Sequence, residues 1–592
     1  MLLARRRSWS CLAALVPIAL AAAALAPSLR ATDGKPQPGT HRKAGETLRD
    51  RVLVKVSARA TARVQVADGK TGIAELDDAL AALGARGVKP VFHHPPRGRA
   101  LPSAAQRIGL DRWLHVDLGS ERADVADVVA KLKALRCVEV AETDRSIAPT
   151  VIPDDPSYGP NQWDLKPDKI DAESAWDTVT DSSSLVVFVI DTGVETTHDD
   201  IVNNLWTNPG EIPGDAIDNE GNGFVDDVHG WNFELDDADL EDHWPHGMHV
   251  NGTIGAEGNN TNKVAGINWR CQLAQAKIFD NGGGTWEGGA AGTVYAADNG
   301  GRVTNNSWGD TSPGPQVFED AAAYADSLDV LQVAAAGNES NTNSFWPASY
   351  AQFLSVASTD SGDNLSWFST HGNWIDMAAP GESIWNLWIG NSETWLSGTS
   401  MASPHVCGAG ALLRTVNPQL TNFESRVALR LATDDLGTPG YDDSFGFGRL
   451  DVKKAVDAAS AISLSTRDVT RPGTVTISLS QPAEANMTYV LMAGISDIVP
   501  GLQLSTFDPF DFRTLPLEFD AVTQFCLYVQ PNPILDPSIG TLDDQGQAQA
   551  TFHVIGGPVF KDRTVSLVYV TFDPADLNHV RFISAPTSFR VH

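Results

Sequence analysis

Apolar and polar residues follow three different patterns along the chain, and each pattern predicts a different kind of unit. Between residues 49 and 145, segments with apolar residues at every second position alternate with segments of helical period. The strands are predicted at Arg51–Val56, Trp113–Asp117 and Cys137–Ala141, and the helices at Ile73–Leu83 and Asp124–Leu135. This part of the chain is therefore expected to form a small α/β unit.

Continuous apolar runs alternate with helical segments in the central part of the chain, which we take as residues 151–462. The runs are Leu185–Ile190, Gln272–Phe279, Val330–Ala335 and Phe353–Ala357. Short runs of this kind are typical of strands that are buried on both faces. The pattern therefore predicts an α/β domain in which a parallel sheet is covered by helices.

The last part of the chain, residues 463–592, is rich in β-forming residues and has turn residues between them. Its strands are predicted at Thr474–Leu479, Thr488–Met492, Ala548–Val554, Val565–Thr571 and Val580–Ile583. Short strands separated by Pro, Gly and Asp are typical of an all-β sandwich, and we expect a domain of that class here.

The N-terminus has the features of an export signal. Arg5, Arg6 and Arg7 precede an apolar stretch from Leu12 to Ala26, and small residues follow it. A membrane anchor is the alternative, but about 15 apolar residues fall short of the roughly 20 that span a bilayer. Residues 1–31 are therefore predicted to be a signal peptide. The mature protein is expected to be secreted or to lie in the periplasm or cell envelope, without a membrane anchor.

Charge is distributed unevenly along the chain, whose formal net charge is −31. Residues 1–150 carry 24 Lys and Arg against 15 Asp and Glu, so the remaining residues carry a net charge of −40. Nucleic acid is an improbable partner for such an acidic protein. Segments of opposite charge on one chain should attract each other, unless both charges are only solvated surface.

Three residues in the central part could act together as a nucleophilic site. Asp191 ends an apolar strand, whereas His246 and Ser400 stand where loops become helices. A serine hydroxyl becomes a good nucleophile when an imidazole takes its proton and a buried carboxylate orients that imidazole. Taken singly, each residue has an ordinary structural explanation as a helix cap or a core residue. Pro404 is expected in the first turn of the helix that begins near Ser400.

The three segments, in this order, resemble the motifs of the subtilisin-like serine proteases, or subtilases. They read Asp-Thr-Gly from residue 191, His-Gly-Met-His from residue 246 and Gly-Thr-Ser-Met-Ala-Ser-Pro-His from residue 398. The resemblance covers roughly residues 155–460. It implies a parallel-sheet catalytic domain with Asp191, His246 and Ser400 as its triad.

The resemblance also implies which residues surround the triad. Ala334–Asn338 resembles the segment whose asparagine donates to the oxyanion together with the backbone N–H of the catalytic serine. As a simple turn residue, Asn338 would have no such role. Asn305–Gly309 resembles the edge strand that pairs with the substrate backbone. The residues expected to bind substrate are Ser307, Trp308, Gly309, Ala336 and Gly337.

Three residues near these motifs raise separate expectations. Met248 stands where the family usually has threonine, and we expect it to pack rather than to take part in chemistry. His249 is expected to be a structural histidine beneath the helix. Phe345 lies where the family shapes its primary specificity pocket and is expected to narrow it, which leaves the preferred substrate residue open.

Two loops are candidates for calcium. The first places oxygen side chains at close spacing around a Gly turn, and its predicted ligands are Asp218, Glu220, Asn222 and Asp226. The second follows from the resemblance, and its predicted ligands are Asp200, Asn260 and Asn262. Acidic or Asn-rich surface turns without any ion are the alternative for both.

The whole chain is consistent with an exported serine endopeptidase that acts on proteins or peptides. The resemblance implies that residues 32–150 are a propeptide that assists folding and is removed between Arg145 and Asp154. An independent binding domain is the alternative for this segment. For the whole chain, the alternative is a weak or inactive scaffold with the same fold. A hydrolase of another class is disfavoured, because no Gly-x-Ser-x-Gly motif surrounds Ser400.

Overall fold

A computed structural model describes residues 47–60, 66, 69–92, 108–119, 125–145, 151–280, 283–495, 502–503, 514–515, 534–543, 545–554, 560, 562–573 and 576–592. The predicted signal peptide lies outside these residues. None of the described helices is long and apolar enough to cross a bilayer. Cys137, Cys271 and Cys407 are buried and carry free thiols.

The first described unit is a four-stranded antiparallel sheet with two helices. Strands β1 to β4 span Thr47–Val56, Gly87–Pro90, Trp113–Asp117 and Val138–Arg145, and helices α1 and α2 span Ala74–Ala82 and Val125–Lys133. The strand order is β2-β3-β1-β4. Alternate residues of β1, namely Val52, Val54 and Val56, are fully buried against Leu76 and Val128 of the two helices. The predicted strands and helices of this unit are confirmed, and β2 is an additional strand.

The central part is built on a nine-stranded sheet. Strands β5 to β17 span Asp181–Asp191, Gly230–Asn232, Arg270–Lys277, Phe279–Asp280, Gly283–Gly284, Gly301–Asn306, Leu331–Ala335, Phe353–Thr359, Met377–Pro380, Ile384–Trp388, Ser392–Leu396, Thr433–Asp434 and Arg449–Leu450. Helices α3 to α10 span Tyr158–Asn161, Ala172–Trp176, His246–Gly255, Trp286–Asp298, Gln316–Ser327, Thr399–Val416, Asn422–Leu431 and Val452–Ser460. The sheet order is β16-β17-β13-β12-β11-β10-β5-β7-β6, and its pairs are parallel apart from β16 with β17.

Strand β5 illustrates why the apolar runs become central strands. Val187 and Val189 are fully buried in the large core that contains α5 and α8. Phe188 and Ile190 are equally buried, but they belong to separate clusters on the other face. Both faces of the strand are thus covered, so a continuous apolar run is required. The predicted parallel sheet with helices outside it is confirmed.

Strand β10 corrects one expectation. Asn305 and Asn306 were expected in an edge strand, but β10 lies inside the sheet between β5 and β11. Both asparagines are buried within it. Only the residues after Asn306 leave the sheet, so a substrate strand could pair with Ser307–Gly309 but not with β10 itself.

Helix α8 corrects another expectation. It has 18 residues, begins at Thr399 and packs against α5, β5 and the strands β10 to β13. Pro404 is therefore in its second turn and not in its first. A proline there supplies no N–H to the carbonyl four residues earlier, which is that of Ser400.

The last part of the described chain forms two larger sheets that share one apolar core, and a separate pair of two-residue strands, Leu502–Gln503 with Thr514–Leu515. Strands β18 to β29 span Ile462–Leu464, Asp468–Val469, Gly473–Ser480, Thr488–Gly494, Leu502–Gln503, Thr514–Leu515, Leu535–Asp536, Ile539–Thr541, Gln547–Val554, Thr564–Asp573, Asp576–Ile583 and Thr587–Val591. One sheet has the order β18-β20-β26-β24, and the other has the order β19-β29-β27-β21-β25 with β28 beside β27. Ile477 and Phe552 of the first sheet pack with Leu491 and Tyr569 of the second.

Glu424 in the first turn of α9 connects this β region to the central part. Its buried carboxylate accepts two hydrogen bonds from Arg467, at 2.9 and 2.8 Å, and one from the Ser588 hydroxyl at 2.7 Å. Beside these contacts, Val427 of α9 packs against Val568 and other apolar residues of the β region. Polar and apolar contacts therefore both hold α9 against the last part of the chain.

Candidate active site

A carboxylate and an imidazole meet at the carboxyl end of β5. The Asp191 Oδ1 atom lies 2.7 Å from Nδ1 of His246, the first residue of α5, and also accepts the Thr192 N–H at 2.7 Å. Asp191 is buried, whereas the His246 side chain is 29% exposed. The carboxylate thus fixes one ring nitrogen from inside the protein, and the other side of the imidazole remains accessible.

Two glycines permit this close approach. A Cβ atom at Gly193 would lie 2.3 Å from the carbonyl oxygen of Leu240, and Gly193 has a φ of +113°. A Cβ atom at Gly247 would lie 2.4 Å from the carbonyl oxygen of Gly193. Larger residues would separate the end of β5 from the start of α5. Gly193 of the Asp-Thr-Gly motif and Gly247 of the His-Gly-Met-His motif are therefore required by packing.

A second buried carboxylate, Asp242, is bound to the backbone on both sides of His246. Its Oδ2 atom accepts the Met248 N–H at 2.8 Å, and its Oδ1 atom accepts the Trp244 N–H at 3.0 Å. Burial raises the pKa of Asp242 to about 6. Burial lowers the pKa of His246, but the charge and hydrogen bond of Asp191 and the charge of Asp242 outweigh it, so this pKa is raised.

Ser400 is hydrogen-bonded to Ser307, the residue that follows β10, which is the strand next to β5. Its hydroxyl donates to the carbonyl oxygen of Ser307 at 3.0 Å, and the Ser307 hydroxyl donates to the carbonyl oxygen of Ser400 at 2.9 Å. The second bond satisfies the carbonyl that Pro404 leaves without a helical donor. Since Ile190 of β5 lies opposite Asn306 of β10, the imidazole and the serine are held at neighbouring strand ends.

A chain of buried hydrogen bonds continues from Ser307 into α8. The Ser403 hydroxyl donates to the Asn305 side-chain oxygen at 2.7 Å, and the Asn305 amide donates to the Ser307 hydroxyl at 2.9 Å. The chain ends at the carbonyl of Ser400. It fastens the first two turns of α8 to the end of β10, and it therefore fixes the position of the serine.

The side chain of Asn338 is oriented by its oxygen. This atom accepts the Thr399 N–H at 2.9 Å and the Thr399 hydroxyl at 3.1 Å. The amide nitrogen is left facing the start of α8, where a Cβ atom at Gly398 would lie 3.6 Å from both it and the Ser400 nitrogen. The Asn338 amide nitrogen and the Ser400 backbone nitrogen thus both lie close to Gly398, beside the serine.

The predicted substrate-binding segments follow two neighbouring strands and share one neighbour, Phe345. Ser307 and Gly309 follow β10, and Ala336 and Gly337 follow β11. Phe345 lies against both segments, because a Cβ atom would meet its ring at 2.4 Å from Gly309 and at 2.7 Å from Gly337. The Trp308 side chain makes edge contacts with Trp286 and Phe318.

Met248 and His249 follow the expectations from the sequence. Met248 is fully buried in the large core. His249 is also fully buried, and its Nε2 atom lies 3.1 Å from the Ile384 carbonyl oxygen. Burial lowers the pKa of His249 to about 3, so this ring is neutral. Both residues therefore lie on the buried side of α5.

The structure groups the predicted calcium ligands in two places. The Asn260 amide donates to Asp200 at 2.7 Å, and the Asn262 N–H donates to the Asn260 oxygen at 2.7 Å. Burial raises the pKa of Asp200 to about 7. In the other loop, Asp218 and Glu220 lie together with Glu211, a residue that the sequence analysis did not single out.

Comparison with known proteins is consistent with this geometry. The model of the subtilase family matches residues 182–448. Thermitase of Thermoactinomyces vulgaris is 35% identical over 306 residues, which are 51% of this chain and 99% of thermitase. A thermophilic serine proteinase of Bacillus sp. (strain AK1) is 36% identical over 56% of this chain and 77% of that protein. The halolysin-like extracellular serine protease Nep of Natrialba magadii is 32% identical over 54% of this chain and 55% of Nep.

The chain therefore belongs to the subtilase family. Within that class it is a subtilisin-like serine endopeptidase, a hydrolase of peptide bonds. Sequence reasoning found the residues that stand in local motifs. It missed Asp242, Asn305 as a positioning residue, Ser403 and Glu211. An acidic residue four positions before His246 was the one available signal for Asp242, and its burial could not be read from the sequence.

We expect Asp242→Asn to lower the pKa of the His246 imidazole. Removing this negative charge destabilises the imidazolium, so the ring should stay neutral to lower pH than in the parent. The measurement is an NMR titration of the histidine ring signals in a chain that also carries Ser400→Ala. Glu241→Gln, which removes an exposed neighbouring charge, should change the pKa less. An unaltered pKa in Asp242→Asn would show that this carboxyl does not act on His246.

Proposed function

We propose that Asp191, His246 and Ser400 form the catalytic triad of this endopeptidase. The observation that carries the proposal is the 2.7 Å contact between Asp191 and Nδ1 of His246, beside the strand end that holds Ser400. Asp191 keeps the proton of the neutral ring on Nδ1, which leaves Nε2 as the base. The hydroxyl must turn from Ser307 to the imidazole when substrate binds, as catalytic hydrogen bonds often tighten in the complex.

The reaction then follows in two stages, acylation of Ser400 and hydrolysis of the acyl-enzyme. As the Ser400 oxygen bonds to the substrate carbonyl carbon, its proton passes to Nε2 of His246. The imidazolium returns this proton to the leaving amine as the C–N bond breaks, which leaves an acyl-enzyme. Water repeats the sequence on the ester, releases the acid and restores the serine.

Asn338 and the Ser400 N–H supply the oxyanion hole in this proposal. The Asn338 oxygen is occupied by Thr399, so its amide N–H is the group left to donate. These donors are in place before the reaction begins. They stabilise the negative charge that develops on the substrate carbonyl oxygen only in the transition state. In a subtilisin, loss of one such side-chain donor costs about 10²–10³ in kcat.

Replacing the nucleophile tests the triad. In Ser400→Ala, with the propeptide supplied as a separate chain, peptidase activity should fall by about 10⁶-fold, because attack on the carbonyl is lost. A fluorophosphonate probe should label the parent and leave this variant unlabelled. Ser361→Ala, which removes an exposed hydroxyl, should retain both properties. A parent that takes up no probe would support the inactive scaffold instead.

Ser307–Gly309 and Ala336–Gly337 pair with the substrate backbone in this proposal. Backbone groups beyond the ends of β10 and β11 can pair with an extended peptide. Phe345 limits the room for a substrate side chain in this proposal, since its ring lies next to the backbone of Gly309 and Gly337. The primary specificity pocket should therefore favour small residues.

We expect Phe345→Ala to enlarge this pocket. The ratio of kcat/KM for a substrate with Phe before the scissile bond to that for one with Ala should rise at least about tenfold. A matched pair of peptides that differ only at this residue provides the measurement. The rate on the Ala peptide serves as the internal control. If the ratio stayed at the parent value, Phe345 would have no role in selecting the substrate.

Residues 32–150 act as a propeptide in this proposal. The support is their position before the protease, their net positive charge against an acidic remainder, and the anchoring of the chain after them. The Asp154 carboxylate accepts the Thr261 N–H at 2.9 Å, and Asp155 accepts the Asn259 N–H at 2.6 Å. Asp154 and Asp155 thus attach the chain to the catalytic domain, and the cut is proposed between Arg145 and Asp154.

Self-cleavage is tested with the full gene. Ser400→Ala should accumulate as an uncut precursor in a host without other secreted proteases, because the first cut needs the nucleophile. Intact mass and N-terminal sequencing distinguish precursor from mature chain. Ser361→Ala should be processed like the parent. Normal processing of Ser400→Ala would mean that another protease makes the cut.

The remaining parts have supporting roles in this proposal. Residues 1–31 direct export, and residues 463–592 form a β-sandwich domain fixed to α9 through Glu424. Asp200 is the centre of the proposed structural calcium site, and Asn260, which now donates its amide to Asp200, would have to turn its oxygen toward the ion, as would Asn262. The support is that Asp200 and its neighbour Asp155 are buried and that burial raises the pKa of each. A cation bound there would relieve this cost.

A further inference from the structure

The last residue of the serine motif takes no part in the proposed chemistry. His405 ends the string Gly-Thr-Ser-Met-Ala-Ser-Pro-His and lies in the second turn of α8, after Ser400. Its side chain is 0% exposed and contacts Asp164, whose side chain is 1% exposed, with 2.9 Å between Nε2 and Oδ2. Asp164 follows α3 and stands in none of the motifs. This buried contact therefore joins α8 to a segment that lies 241 residues earlier in the sequence.

The hydrogen bonds of the His405 ring place a proton between the two side chains. Its Nδ1 atom lies 2.8 Å from the carbonyl oxygen of Met401, which can only accept, so Nδ1 carries a proton. Nε2 then donates to an ionised Asp164 or accepts from a protonated one, and in both forms a proton lies between Nε2 and Oδ2. The other carboxyl oxygen, Oδ1, is buried and has no partner within the described part of the chain. The buried carboxyl group therefore depends on its bond to the ring.

The pair completes the attachment of three consecutive residues at the start of α8. Thr399 and the Ser400 carbonyl are held by side chains that follow β11 and β10. The next carbonyl, that of Met401, accepts from the His405 ring, and Asp164 fixes this ring through its other nitrogen. Ser400 thus lies between two attachments. Loss of either one should displace its hydroxyl oxygen.

The segment Gln162–Asp164 is itself held by buried side-chain hydrogen bonds. The Gln162 amide donates to the Ala265 carbonyl at 2.8 Å, and its oxygen accepts the Ala265 N–H at 2.9 Å. The Trp163 indole donates to the Ser383 carbonyl at 2.9 Å. Ala265 lies between α5 and β7, and Ser383 precedes the hairpin of β14 and β15, after which α8 begins. The segment is therefore a fixed support against which Asp164 can hold α8.

We propose that Asp164 and His405 are positioning residues for the nucleophile. The inference rests on the proposed triad, because it assigns their effect to Ser400. Both side chains are buried, so neither can contact substrate; the proton they share holds the first turn of α8 against the segment Gln162–Asp164. An error of about 1 Å in the position of a reacting group can cost about 10²-fold in rate. The pair should therefore affect the chemical step more than the binding of substrate.

The kinetic test uses the mature enzyme obtained from the full chain. Asp164→Ala removes the bond to His405. Asp164→Asn keeps a bond, because its amide can donate to Nε2 while Nδ1 still donates to Met401. Asp168→Asn is the matched control, since Asp168 is exposed in the same part of the chain and the change removes the same charge. Titration with a fluorophosphonate counts the reactive sites, so that kcat and KM for an amide substrate refer to reactive enzyme alone.

We expect Asp164→Ala to lower kcat per reactive site at least about tenfold and to change KM less than about twofold. Asp164→Asn should recover kcat to within about threefold of the parent, and Asp168→Asn should match the parent. A purely structural role would lower the melting temperature and the number of reactive sites but leave kcat per site unchanged. That result would overturn the proposal. A parent that takes up no probe would instead contradict the proposed triad.

The shared proton gives a second, spectroscopic test. In the full chain carrying Ser400→Ala and ¹⁵N-labelled histidine, we expect a strongly downfield proton resonance that correlates with Nε2 of His405. Asp164→Ala should abolish it and Asp168→Asn should retain it, while the ring signals of the other histidines serve as the internal reference. If Asp164→Ala does not fold, Asp164→Leu, which fills the space without a hydrogen bond, gives the same reading in both experiments. A resonance that survives the loss of Asp164 would show that the two side chains share no proton, which would also overturn the proposal.

Discussion

The parallel pairing of β5 with β10 is the constraint on which the active site depends. Because Ile190 lies opposite Asn306, the residues that follow, Asp191 and Ser307, leave the sheet side by side. Each of them binds the first turn of a different helix, α5 or α8, and these helices pack against each other. The helix starts thus come together through the register of two strands, although about 150 residues of sequence separate them. Ligands bind at this edge in open α/β sheets for the same reason.

Pro404 imposes a second constraint on the same place. A proline in the second turn of a helix is normally unfavourable, because it has no backbone N–H to donate. Here the carbonyl left without its usual donor is that of Ser400. The Ser307 hydroxyl replaces that donor, and Asn305 and Ser403 hold the hydroxyl in turn. The hydrogen bond that Pro404 removes from the helix is therefore replaced by a specific hydrogen bond between α8 and Ser307, the residue that follows β10. Departures of this kind are expected where a sequence positions functional groups and not only a stable core.

How much the sequence reveals depends on the range of the interactions. Strand β5 was predictable because burial on both faces makes it a continuous apolar run, and the motifs around Ser400 are local strings. Strand β10 could not be predicted as a buried strand from its own residues. Its last three residues, Thr304, Asn305 and Asn306, are polar and yet buried, and Asn305 and Asn306 have hydrogen-bond partners in other elements. Glu211 was missed for the same reason. Its burial depends on how the loop folds, which no periodicity records.

Residues 170–262, which contain 21 Asp and Glu and no Lys or Arg, affect the active site through two of their carboxylates. Asp191 and Asp242 both lie in this range, and their charges raise the pKa of His246 against the effect of burial. A cation hydrogen-bonded to Asp191 would compete with the imidazole for this carboxylate. Lys277 pairs with Asp191 in the sheet register, but its ammonium donates to the backbone carbonyl of Glu241 at 2.6 Å. The Lys277 side chain is therefore hydrogen-bonded to Glu241 and not to Asp191, and the Asp191 carboxylate remains the partner of His246.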